Sequence, residues 1–128
     1  MIDCYDPEIA PDPEEWLALD EGSRIEQVER FHRNARIPLP KSARHMHAVI
    51  HSIVENQLAM EDQEIVRAVL QRLILEGLTR HDAVHAIGSV LTEHIYDCLH
   101  GDSHLPDWTA PYYAELQQLT AEKWRHNH

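Results

Sequence analysis

The stretch Glu64-Ile65-Val66-Arg67-Ala68-Val69-Leu70-Gln71-Arg72-Leu73-Ile74-Leu75-Glu76-Gly77-Leu78-Thr79 decides the fold class of this chain. Ile65, Val66, Val69, Leu70 and Leu73 recur at three- and four-residue intervals, so a helix gathers them into one apolar stripe. The strict alternation that marks a half-buried strand is missing. Gly77 stands where the residue after a helix end adopts a left-handed conformation, and Leu78 supplies the hydrophobic contact that often follows such a stop. The spacing therefore predicts a helix from about Gln63 to Glu76. Thr79-x-x-Asp82 then caps a longer helix, from Arg80 to about Leu99, that stops near Gly101.

Upstream, a helix is expected from about Ala43 to Ala59 with Ser42 as its cap. Short connections make these central three helices pack roughly antiparallel. Asp12-Pro13-Glu14-Glu15 is a strong helix start, with Asp12 at the N-cap, Pro13 at the first helical position and Glu15 closing a capping box. Gly22 should keep that helix short. Ser23-x-x-Glu26 reads as a second capping box, opening a helix through Ile25, Val28 and Phe31 that Pro38 and Pro40 terminate. A last helix should begin near Thr109-Ala110-Pro111 and carry Tyr113, Leu116 and Trp124. Residues 1–11, with Pro7 and Pro11, read as an irregular lead, and residues from about 125 to 128 as a frayed tail. The expectation is an all-α single domain over residues 1–128, an irregular bundle of five or six helices.

Composition excludes several function classes. A formal charge of −11 argues against a nucleic-acid surface, which needs clustered Lys and Arg, and against adsorption to anionic lipid. No apolar run approaches the roughly 20 residues of a membrane span. The acidic start, Met1-Ile2-Asp3-Cys4-Tyr5-Asp6, lacks the basic and apolar regions of a signal peptide, so the expected location is cytoplasmic. Cys4 and Cys98 are far apart and form no Cys-x-x-Cys, which suits reduced thiols and not a thiolate zinc site.

Eleven histidines in 128 residues point elsewhere. His47-x-x-x-His51 and His81-x-x-x-His85 each place two imidazoles one helical turn apart. Glu55 follows the first pair by another turn, and Glu93-His94 follows the second. Neutral imidazole is the commonest protein metal ligand, so His47, His51, Glu55, His81 and His85 form a candidate metal or acid/base site. Nitrogen and carboxylate donors suit zinc, nickel or iron. Neither pair carries the Glu of a His-Glu-x-x-His motif, and the di-iron carboxylate pattern, Glu-x-x-His from each of two helices, is absent. No triad or phosphate-binding loop can be assembled, and no enzyme activity follows.

At about 100° per residue, Met46, Val49, Ile50, Ile53, Val54 and Leu58 cover one broad apolar sector. His47 lies just inside its edge, while His51 and Glu55 step outward toward water. On the helix from Arg80, His94 projects among Ala83, Ile87, Val90, Leu91 and Cys98 and should be buried, with a backbone carbonyl, Tyr96 or Glu55 as its partner. His85 lies at the margin with His81, and Glu93 points away. The competing reading makes the histidines structural polar groups, with a buried network joining Gln57, His94 and Tyr96. The chain would then be an acidic helical interaction module, meeting a protein partner or its own copy through an exposed patch of Trp16, Trp108, Tyr112 and Trp124. His104, His126 and His128 lie outside the probable helical core.

Two segments resemble the hallmarks of an uncharacterised bacterial family of small helical proteins. One is His47-Ala48-Val49-Ile50-His51-Ser52-Ile53-Val54-Glu55-Asn56-Gln57-Leu58-Ala59. The other runs from His81-Asp82-Ala83-Val84-His85 to Glu93-His94-Ile95-Tyr96-Asp97. The resemblance covers about residues 20 to 99 and implies an all-α fold and a bacterial origin. It implies no activity, because the family is a domain of unknown function.

Overall fold

A computed structural model describes residues 4–35, 41–100 and 109–127. Seven helices and no strand occur among them: α1 (Pro13–Ala18), α2 (Glu21–Asn34), α3 (Lys41–Ala59), α4 (Glu64–Leu75), α5 (Arg80–His100), α6 (Thr109–Gln118) and α7 (Ala121–Asn127). The fold is all-α, with one helix more than the sequence suggested. They fall into two compact units, Met1–Gln63 and Glu64–His128. No helix among the described residues is long and apolar enough to cross a membrane.

In the first unit α3 packs on both α1 and α2. Asp12 caps α1, its carboxylate accepting from Glu15 N at 3.0 Å, and Pro13 opens the helix as expected. The next cap departs from expectation. Asp20, not Ser23, starts α2, accepting from Ser23 N at 2.7 Å, so Ser23 and Gly22 lie inside the first turn. Aspartate and serine are comparable caps, and the chain takes the earlier one because α1 already ends at Ala18. Likewise α3 starts at Lys41, which places Ser42 within the helix. Pro38 and Pro40 lie outside the described residues; α2 has already stopped at Asn34.

Arg24 and Asn56 join the three helices. Arg24 donates to the Leu19 and Leu17 carbonyls at 2.9 and 3.2 Å, covering acceptors that the end of α1 leaves open. Its guanidinium also donates to Asn56 Oδ1 at 3.0 Å, and the Trp16 indole N–H reaches the same oxygen at 2.9 Å. Tyr5, Trp16, Val28 and Ala48 form the core, with Leu19, Ile25, Phe31 and Ala59 packed against it.

In the second unit α4, α5 and α6 pack on one another. Val66, Val69, Leu70 and Leu73 are the buried stripe of α4, and Ile65 is half-buried. Ala83, Val84, Ala86, Ile87, Val90 and Leu91 are buried on α5. Gly77 takes φ +107°, Leu78 N donates to Leu73 O at 3.1 Å and Gly77 N to Ile74 O at 3.0 Å. This is the Schellman stop the sequence announced. Thr79 Oγ1 accepts from Asp82 N at 3.1 Å, capping α5.

The expected last helix is two. Leu119-Thr120 breaks it, with Thr120 Oγ1 accepting from Lys123 N at 3.1 Å. The break is held from α4. Arg72 donates to Leu119 O at 2.6 Å, and Glu76 accepts from Ala121 N at 2.9 Å. One side chain thus covers a C-terminal carbonyl of α6 and the other an N-terminal amide of α7. The aromatic surface patch does not exist as expected. Trp16 and Tyr112 are 0% and 1% exposed, Trp124 is half-buried, and Trp108 lies outside the described residues.

Candidate functional site

Beside Val54, α3 buries the strip Ala48, His51, Ser52 and Glu55, positions that share one helix face. The outward drift expected for His51 and Glu55 is therefore wrong. They are 2% and 1% exposed, while Met46, assigned to the apolar sector, is 59% exposed. Periodicity sends polar residues to water, but here the polar edge is covered by side chains from the lead and from α2. Ala48 and Ser52 are small enough to let them approach.

A buried carboxylate and imidazole need hydrogen-bond partners. Tyr5, itself buried, supplies them. Its hydroxyl donates to Glu55 Oε2 in a short bond and lies 2.7 Å from His51 Nε2. Its own backbone N–H donates to Gln27 Oε1 at 3.2 Å. The phenol ring packs on Trp16, Phe31 and His51, with centroids 5.4, 6.3 and 5.5 Å away. The Nδ1 atom of His51 is buried and makes no hydrogen bond with a described residue.

His32 on α2 completes the cluster. Its Nδ1 sits 2.8 Å from the Val28 carbonyl, which only accepts, so Nδ1 carries the proton and Nε2 the lone pair. That Nε2 faces Nε2 of His47 at 3.1 Å. The His32 ring centroid lies 4.7 Å from that of His47 and 5.4 Å from that of His51. His32 and His51 offer ring nitrogens within 4.8 Å of each other. Burial pushes the His32 imidazole below the usual histidine pKa, only partly opposed by the Val28 carbonyl, and so keeps it neutral and ligand-competent. His45 stays apart, paired at the surface with Glu29 at 3.0 Å.

In the second unit, His81 and His85 are half-buried and meet as their spacing implied, Nε2 to Nε2 at 3.1 Å. His94 is not buried among apolar neighbours. Its side chain is 17% exposed and its Nε2 bonds the Glu115 carboxylate of α6, with Tyr112 edge-on at 6.1 Å. The helical phase turns His94 inward, but α6 brings a carboxylate to that side. Tyr96, expected in a buried network, is 61% exposed, and Glu93 is exposed as expected.

Of the five expected residues, His47, His51 and Glu55 thus lie together in the first unit and His81 with His85 in the second. Sequence reasoning missed His32 and Tyr5. His32 follows Val28 by four residues and shares its buried face, a signal present in the sequence; Tyr5 sits in a lead without periodicity and gave none. Comparison of the chain with protein-family models, curated proteins and solved structures finds no match.

Proposed function

We propose that this is a helical metal-binding protein in which His32, His47 and His51, from α2 and α3, hold one borderline divalent ion: zinc, nickel or ferrous iron. The observation that carries the reading is the 3.1 Å approach of His32 Nε2 to His47 Nε2, with His32 Nδ1 fixed on a carbonyl. Two nitrogens bound to one tetrahedral zinc at about 2.0–2.1 Å stand about 3.3 Å apart. Ligating histidines characteristically give their other N–H to a carbonyl or carboxylate. Glu55 moves from ligand to support, because its carboxylate takes the Tyr5 hydroxyl. His81 and His85 form a second chelating pair in their own unit, by the same 3.1 Å criterion. The charge of −11 favours cations near the surface. The two segments that resemble the uncharacterised bacterial family supply His47, His51, His81 and His85. The rival reading, an interaction module, loses the patch on which it stood, since Trp16 and Tyr112 are core residues.

The test is metal analysis and zinc titration of protein purified without an affinity tag. His32→Ala should remove the first unit's ion and His85→Ala any ion held by the second unit. A wild-type protein that takes up no zinc, nickel or iron at micromolar free metal overturns the proposal.

A further inference from the structure

We infer that Nδ1, not Nε2, is the metal-facing nitrogen of His51, and that Tyr5 and Glu55 are the positioning residues that make it so. The inference rests on the metal-binding reading for its consequence, though not for its geometry. A phenol has one proton and a carboxylate can only accept. With the Tyr5 proton given to Glu55 Oε2, the Tyr5 oxygen is left as an acceptor, and His51 Nε2 at 2.7 Å must donate to it. A neutral imidazole protonated at Nε2 has its lone pair at Nδ1.

The relay also sets the chemistry of the donor set. Glu55 is held one hydroxyl behind the ring, where it strengthens the Nε2–H donation and so raises the basicity of Nδ1. The donors that remain, from His32, His47 and His51, are all nitrogen. Such a set selects zinc, nickel or ferrous iron and discriminates against the oxygen-seeking magnesium and calcium. Two side chains that touch no metal would thus fix which atom binds and which ions are accepted.

The experiment reads the tautomer first, without metal. Imidazole nitrogen shifts of apo protein carrying nitrogen-15 histidine should show His51 protonated at Nε2. The opposite proton order, Glu55 donating to Tyr5 and Tyr5 to His51, gives an Nδ1–H tautomer and overturns the inference. Zinc titration follows. Tyr5→Phe should scramble the His51 tautomer and weaken zinc binding by about 10–100-fold, the range for loss of such supporting bonds. Glu55→Gln, whose amide oxygen can still accept from Tyr5, should keep the tautomer and lose less affinity. A Tyr5→Phe protein with unchanged tautomer and affinity sinks the idea, and wild-type protein that binds magnesium as well as zinc sinks the selectivity. Should Tyr5→Phe fail to fold, the wild-type tautomer and Glu55→Gln still decide. A wild type with the Nε2–H tautomer and no zinc uptake would overturn the metal reading and leave the proton order standing.

Discussion

His32 shows how one buried imidazole links stability to pH. Its pKa is pushed below the ordinary 6.5 by burial, so the unfolded chain takes up the proton first as pH falls. Its contribution is complete above about 6.5 and declines below that toward the folded value. Urea midpoints measured from pH 7.5 to 5 should therefore fall, and His32→Ala should flatten the slope while lowering stability at pH 7.5 by about 1–3 kcal/mol. A slope unchanged by the substitution would assign the acid sensitivity elsewhere. Asn56 is the other residue with a sharp expectation. Asn56→Ala strips the acceptor from the Trp16 indole and from Arg24, and should cost about 1–3 kcal/mol in thermal or urea unfolding. The burial of His32 has a sequence signal in its spacing from Val28, but the role of Asn56 could not be read from sequence. Asn56 was visible inside a hallmark segment, but the two donors that meet it come from residues 40 and 32 positions away.

Among the elements, the clearest in sequence are those whose signals are local. The stripe of α4, its Gly77 stop and the Thr79 cap of α5 lie within a few residues of one another and each is observed. What escaped was the burial of the polar edge of α3, covered by Tyr5 and α2, and the break between α6 and α7, which is held from α4. Gly77→Ala tests the stop. At φ +107° an alanine is strained, and its Cβ would stand 2.9 Å from the Arg125 guanidinium, a flexible end that can yield. The backbone effect of about 1–2 kcal/mol should dominate the shift in urea midpoint. The clamp on the break is also acid-sensitive, in a lower range than His32. The Ala121 amide and the Arg72 guanidinium hold the Glu76 carboxyl below its usual pKa of 4.5. A depressed carboxylate stabilises above that value and loses its contribution as pH drops through the folded pKa. The hydrogen-exchange protection factor at the Ala121 amide should fall on acidification below about 4.5, and Glu76→Ala should bring that loss of protection to neutral pH.

At the scale of the molecule, the all-α character was legible because every strong periodic signal had a helical period. The candidate site was half legible, since i,i+4 spacing finds histidine pairs but not the tyrosine that covers them. Metal that binds only the native state should stabilise the whole chain, by about 2.7 kcal/mol at a free zinc concentration 100 times the Kd. A zinc-dependent rise in Tm, absent in His32→Ala, would register it. The placement of Tyr5 has a consequence for how the chain is made. The two side-chain partners of its hydroxyl follow it by 46 and 50 residues, so during synthesis the phenol is made before either exists. Helical turns form within about a microsecond, whereas closing so long a loop must wait for α2 and α3 to be present and packed. The earliest part of the core to be translated is therefore among the last to be seated. Until then the face carrying His51 and Glu55 is open to water, and to any ion that arrives first.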